Sequence, residues 1–382
     1  MAFLFTSFCI ILLDRTLRLI YLEIMRTIPL ETLRINLSRE LSNLSEGIEV
    51  TKRKKPIAYI TKEFRMKAEL KPRIDFEGRT KLETVIPLST PYLVFLDPSD
   101  ICNAKCSWCP TGSGEALKYK KPQLMQYYLF QKIIDDLCDM PDPVKTLRLY
   151  AHGEPLLNPE FPSMVSYAKE SGRFGQVDTT TNGSLLRPTL NNQIIKAGLD
   201  KIFVSVPATY TPAYVKNVKH FYDNSRDKCQ VYVKTIGDSM NESAKLKFMK
   251  DFGDISDRIF IEHLSPCWPE FDVKIEYGNI GIYGQEIKEV QVCPYLFYSL
   301  AINSDGTVSA CFLDWSRRMT LGDLKAESFK SIWDGKILRG YRILHLTKAR
   351  SLLSFCATCQ QLAYGACDDI DAYAEAILEK ME

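Results

Sequence analysis

The chain is 382 residues long, 46% hydrophobic and 25% charged, with 19 Gly and 19 Pro; this composition excludes a disulfide-stapled miniprotein and a chain disordered over most of its length. Its length is about two and a half times the ~150-residue domain norm, so one large domain and a smaller one are expected. Lys and Arg number 49 against 47 Asp and Glu, and the formal charge of +2 gives no long-range field for a nucleic-acid partner.

The apolar run Ala2 to Leu13 has no basic segment before it and ends at Asp14-Arg15. It is shorter than the ~20 residues a bilayer span needs, so no membrane span and no export signal are expected, and the reducing cytoplasm is the expected compartment. Leu17, Ile20, Tyr21 and Ile24 then follow an amphipathic-helix spacing, unless the run is an upstream extension of a chain starting at Met25. Residues 1–90 read as an N-terminal extension of unclear role, with Lys52-Arg53-Lys54-Lys55 as a solvated face.

From Tyr92 to about Leu264 short apolar runs alternate with longer amphipathic ones, the pattern of βα units around a parallel sheet. Strands are expected at Tyr92 to Leu96, Thr146 to Tyr150, Gln176 to Thr180, Lys201 to Val206, Gln230 to Thr235 and Arg258 to Glu262. Helices are expected at Tyr128 to Cys138, Phe161 to Ser171, Thr189 to Ala197, Ala213 to Tyr222 and Glu242 to Phe252. The fold class is therefore α/β, a partial (β/α)6 TIM-like barrel over residues 91–270. Residues 271–382 form a second unit, in which Ser304-Asp305-Gly306 turns a hairpin between Tyr298 to Asn303 and Thr307 to Phe312, followed by helix.

Twelve cysteines are the unusual count, and seven fall into two groups. In a reducing compartment such clusters point to metal or catalysis rather than crosslinks. Cys102, Cys106 and Cys109 lie within eight residues directly after the first expected strand, where βα folds build their sites. A single zinc wants a fourth ligand, and none is nearby in sequence. Three thiolates on a cubane iron–sulfur cluster leave one iron open to another ligand.

Cys-x3-Cys-x2-Cys, with Trp108 before its third cysteine, resembles the signature of the radical S-adenosylmethionine enzymes. The resemblance implies a [4Fe–4S] cluster whose open iron is chelated by S-adenosylmethionine, which is then cleaved to a 5′-deoxyadenosyl radical. Further implied cofactor contacts are Gly153 and Glu154, in His152-Gly153-Glu154-Pro155, where His152 replaces the family's first Gly. Thr181 and Asn182 after the third strand, Ser205 at the end of the fourth, and Lys216 in place of a carboxylate-pairing Arg complete the implied set.

Cys293, Cys311, Cys356 and Cys359 resemble the C-terminal SPASM or shorter twitch extension of the same superfamily, with a spacing most like that of the 2-deoxy-scyllo-inosamine dehydrogenases. This implies one auxiliary [4Fe–4S] cluster, with Cys367 as a spare thiol; a four-cysteine zinc site is the alternative the same spacing permits. Cys9, Cys138, Cys229 and Cys267 read as isolated apolar residues, although Cys267 and Trp268 follow the last barrel strand and are candidates to line a substrate cavity.

The implied function is a radical S-adenosylmethionine oxidoreductase that oxidises an alcohol of a sugar or aminocyclitol. The auxiliary cluster would accept an electron, and flavodoxin or ferredoxin would act as donor. No proton acceptor is named by the sequence beyond the candidate His263. The alternatives are a maturase of ribosomal peptides and, in another class, a zinc-stabilised non-catalytic binding scaffold.

Overall fold

The computed structural model describes residues 66–275, 280–365 and 368–381, together with the backbone of four strands within the first 65 residues. Those strands, Phe8–Leu12, Met25–Pro29, Gly47–Lys52 and Lys55–Lys62, form one four-stranded sheet. The last two fall where the sequence pattern gave no periodicity. The helix expected over Leu17 to Ile24, the side chains of Cys9 and of the basic run at 52–55, and Cys367 lie outside the described residues.

The centre of the molecule is a run of parallel strands: β1 (Leu93–Leu96), β2 (Val144–Arg148), β3 (Phe174–Thr181), β4 (Lys201–Ser205), β5 (Gln230–Ile236) and β6 (Arg258–Glu262). They pair in sequence order. Helices α1 (Tyr127–Cys138), α2 (Phe161–Glu170), α3 (Pro188–Ala197), α4 (Pro212–Ser225) and α5 (Glu242–Phe252) return the chain between strands. This is the expected partial barrel, with boundaries within a few residues. β2 begins and ends two residues earlier than expected, and α4 runs three residues further, to Ser225.

Alternation along the strands separates two environments. Val94, Leu96, Leu147, Ile202 and Val204 are buried in the core shared with Phe130, Ile133, Met164, Val218 and Phe221 of the helices. The opposite face of the sheet carries Phe95, Arg148 and Phe203. Burying branched apolar side chains between sheet and helices contributes about 1.5–3 kcal/mol for each one removed from water.

Two features lay beyond the sequence pattern. Glu69–Leu70 pairs in parallel with β6 and closes that edge of the sheet, so residues 66–90 belong to the barrel rather than to a peripheral extension. At the other edge, β7 (Ser299–Ile302) pairs in parallel with β1, and β8 (Thr307–Ser309) and β9 (Thr320–Asp323) continue antiparallel. The expected hairpin thus extends the barrel sheet. At its turn Gly306 has φ +88°, a left-handed conformation that glycine adopts freely. Helix α6 (Lys336–Leu346) packs its buried Leu338, Arg342 and His345 inward. No helix among the described residues is long and apolar enough to cross a membrane.

Candidate active site

The loop after β1 carries Cys102, Cys106 and Cys109, all half-buried and unbridged. It is folded on itself: Cys109 N–H donates to the Cys106 carbonyl at 3.2 Å, and Ala104 N–H points at Cys102 Sγ at 3.4 Å. Gly112 lies against this loop so closely that a Cβ there would come within 2.6 Å of Cys106 N. Burial pushes the Cys102 thiol up to about 11, with the charges of Glu154, Cys109 and Cys106 acting in the same direction.

The loop after β2 docks on the cysteine loop. Glu154 N–H donates to the Ile101 carbonyl at 2.8 Å, and a Cβ on Gly153 would sit 1.8 Å from the Ser99 carbonyl oxygen. Only glycine permits that approach. Glu154 is 2% exposed. Its carboxylate accepts from Thr181 Oγ1 at 2.6 Å, Asn182 N at 2.7 Å and Leu156 N at 3.1 Å. Three bonds occupy three of roughly four lone-pair directions, which leaves one for a further donor.

Asn182 in turn donates to Asn103 Oδ1 at 2.8 Å, tying the third strand's end to the cysteine loop. The structure thus brings Cys102, Cys106, Cys109, Gly153, Glu154, Thr181 and Asn182 together. Ser205 lies half-buried at the end of β4, on the same face as Phe203. Lys216 is exposed on α4 and makes no hydrogen bond or ion pair among the described residues. The helix reaches the site instead through Tyr214, missed by sequence reasoning, whose hydroxyl donates to the Asn182 carbonyl at 2.9 Å. Tyr214 stands two positions before Lys216, on the half-buried side of α4.

The second group also assembles. Burial pushes Cys311 well up, with Cys359, Cys293 and Cys356 adding to the effect, and burial, then the charge of Cys359, pushes Cys356 up to about 12 against the pull of Arg350. Cys293 N–H donates to His345 Nδ1 at 3.1 Å, and Arg350 donates to the Cys356 carbonyl at 3.2 Å. His345 and Arg350 were not legible as supports. Thiolates around one tetrahedral zinc stand about 3.8 Å apart. Among the described residues no three thiols have ligand atoms all within 4.8 Å of one another.

Among the described residues, the one group close enough for a single ion is Asp97, Asp100 and His152. Asp100 is already ion-paired with Lys120 at 2.7 Å and Arg317 at 3.0 Å, which occupy the place of a metal's charge.

A cavity of about 380 Å³ is lined by Tyr150 and Ala151 of the β2 end, by Phe312 and Leu313 next to Cys311, and by Cys267 and Trp268. Cys267 therefore departs from the isolated core role read for it, while Cys229 is buried and Cys138 half-buried. His263 is not among the cavity residues; its Nδ1 pairs with Asp238 at 2.9 Å.

A family profile described as an iron–sulfur cluster-binding domain, SPASM, matches residues 293–360 and includes all four cysteines of the second group. The chain is similar to the tungsten-containing aldehyde ferredoxin oxidoreductase cofactor-modifying protein of Pyrococcus furiosus, at 28% identity over 271 residues, covering 66% of this chain and 71% of that protein. It is also similar to a GTP 3′,8-cyclase of Chlorobaculum tepidum, at 34% identity over 108 residues, which is 28% of this chain and 29% of the relative. In fold it resembles BtrN in complex with AdoMet and 2-DOIA, with a TM-score of 0.53 at 16% identity over 73% of this chain and 97% of that one. It also resembles anSMEcpe with bound AdoMet, with a TM-score of 0.51 at 13% identity over 76% and 96%. With the cysteine loop, the partial barrel and the SPASM match in place, the chain is similar to the radical S-adenosylmethionine enzymes that carry a C-terminal SPASM domain, and its two cysteine groups suit S-adenosylmethionine and [4Fe–4S] clusters as cofactors.

Proposed function

We propose that the chain is an oxidoreductase acting on a small molecule held in the cavity lined by Tyr150 and Phe312. The observation that carries this reading is the lining of that single 380 Å³ space: one wall leads from Tyr150 into Gly153-Glu154, and the other is Phe312, adjacent to Cys311. A substrate there would lie beside both redox centres at once. The volume suits a small ligand and falls at the low end of ordinary binding pockets. BtrN, which shares the fold, was solved with AdoMet and 2-DOIA, and the spacing of the second cysteine group resembles the 2-deoxy-scyllo-inosamine dehydrogenases; both support an alcohol-bearing ring as substrate.

When bound, the cofactors would supply a 5′-deoxyadenosyl radical to take a hydrogen atom from substrate and an auxiliary cluster to take the remaining electron, the hydroxyl proton passing to solvent. The rest is the work of this chain. Cys102, Cys106 and Cys109 would hold one cluster, and Cys293, Cys311, Cys356 and Cys359 the other. Gly153 lets the β2 loop approach the cysteine loop, and the Glu154 carboxylate, fixed by Thr181 and Asn182, keeps one acceptor direction for the cofactor's ammonium. Phe95, Tyr150, Phe203 and Phe312 keep water from the reacting carbon.

Anaerobic reconstitution followed by reduction tests the proposal. About eight irons and eight sulfides per chain, with 5′-deoxyadenosine formed, are expected. Cys356→Ala is expected to keep deoxyadenosine formation and lose about four irons and substrate oxidation. Full oxidation by that variant would rule out the assigned electron path.

A further inference from the structure

We infer that the substrate of this site is a small organic anion, a carboxylate or phosphate monoester, gripped by Arg148 and Arg73 at the inner end of the cavity. The inference rests on the proposed reading of the cavity as the substrate site and names the chemical class it takes.

Both guanidinium groups line the cavity. Arg148 bonds Asp178 through Nε alone, at 3.2 and 3.3 Å to the two carboxylate oxygens. Arg73 uses its Nε too, with Tyr283 Oη at 3.0 Å and Glu262 at 3.0 Å. The terminal nitrogens of neither arginine make a hydrogen bond among the described residues. Arginine is commonly fully engaged when buried, and a guanidinium whose two-pronged end is left open presents the fork that matches a carboxylate or phosphate.

The charge balance points the same way. Glu262 is shared between Arg73 and Lys234, the latter at 2.7 Å, and Asp178 serves Arg148. Three cations thus face two carboxylates, Glu262 being 4% exposed and Asp178 wholly buried. Lys201 and Arg258 stand at the floor around Tyr232, with Asp75 and Glu69 paired to Arg258. An unbalanced positive charge in a partly desolvated space is costly unless an anion joins it.

Geometry fixes the orientation. The Arg148 guanidinium lies over the rings of Phe95 at 5.7 Å and Phe203 at 6.0 Å, which hold its plane. Arg148 precedes Gly153 by five residues and lies deeper along the strand. An anion on Arg148 and Arg73 would therefore leave the other end of the substrate toward the strand ends and the cysteine loop. The aromatic walls suit an apolar or ring-shaped body.

Calorimetric titration of the reconstituted full chain with S-adenosylmethionine and no reductant tests this, using benzoate, phenyl phosphate and benzyl alcohol as probes. Saturable binding of one or both anions, at least about tenfold tighter than benzyl alcohol, is expected, and the preferred anion identifies the headgroup. Arg148→Lys keeps the charge beside Asp178 but loses the fork, and is expected to weaken that binding by about tenfold. Arg73→Gln, which leaves the Arg148–Asp178 pair intact, is expected to do the same and decides the matter should the Arg148 variant fail to fold. Equal binding of the alcohol and the anions, or unchanged anion binding in a folded variant, would overturn the inference. Because no turnover is needed, deoxyadenosine formation can succeed while anion binding fails, which separates this inference from the reaction proposed above.

Discussion

Phe95 of β1 and Phe312, the residue after Cys311, stack with ring centroids 4.6 Å apart and planes 14° from parallel. Tyr295 meets the same Phe312 ring at 5.1 Å. The stack ties the second cysteine group to the barrel's inner face beside the cavity. Phe312→Ala removes a ring contact on both sides and is expected to lower stability by about 2–3 kcal/mol, with Phe312→Leu losing less. Thermal melting of the anaerobic protein measures this; equal melting temperatures for both variants and the parent would contradict a supporting role for the stack.

Gly153 offers a sharper test, because it probes one cysteine group alone. A Cβ there would overlap the Ser99 carbonyl oxygen at 1.8 Å and stand 2.6 Å from that of Ile101, so Gly153→Ala must push the cysteine loop away. The expected result is loss of about four of eight irons, with those of the SPASM domain retained. Gly340→Ala is the matched control: it sits within α6 with nothing in 4 Å of the added Cβ, and is expected to keep all its iron and gain up to about 1 kcal/mol from helix propensity. Full iron content in Gly153→Ala would show that the loop tolerates the displacement.

The contrast between those glycines marks what the sequence made legible. Cys102, Cys106 and Cys109 announced themselves because three thiols sit in one short loop, and β1–β6 did so because alternation of apolar side chains is local. Arg73 did not, since its partners Glu262 and Tyr283 are nearly two hundred residues away or more and only barrel closure brings them together. Likewise β7 carries four buried residues, and that pattern alone cannot say that its neighbour is β1. Lys216 shows the converse limit of reading a position from the chain alone. Its place in the chain resembled a family position, yet the helical turn puts Tyr214 toward Asn182 and leaves Lys216 in solvent.

Tyr214 is therefore expected to affect cofactor binding without touching the cluster. Its hydroxyl holds the Asn182 carbonyl, and Gly183, at φ +72°, passes so close that a Cβ would meet that hydroxyl at 2.4 Å. Tyr214→Phe removes one hydrogen bond of about 1 kcal/mol. A roughly three- to tenfold rise in the Kd for S-adenosylmethionine is expected, with iron content unchanged, as equilibrium dialysis of the reconstituted protein can measure. An unchanged Kd would confine Tyr214 to packing.

Asp97 gives the fold a pH dependence of predictable sign. It is completely buried, Oδ2 accepts from His152 N at 3.1 Å, and Oδ1 has no partner. Burial, then the Asp100 charge, pushes it up to about 7, against the opposing pull of Lys120 and Arg317. His152 beside it stays neutral, because burial and those same two cations hold its pKa well below the usual range. The unfolded carboxyl titrates near 3.8. Between that value and neutrality the folded state therefore holds a proton that the unfolded state has released, and stability falls as pH rises. Asp97→Asn keeps an acceptor for His152 N and cannot ionise. It is expected to match the parent only near pH 4 and below, and to lead it by about 2–3 kcal/mol more at pH 8 than at pH 5. Melting temperatures of the two proteins at pH 5 and pH 8 test this: a difference that stays the same at both would mean that Asp97 is ionised throughout, and that Lys120 and Arg317 outweigh its burial.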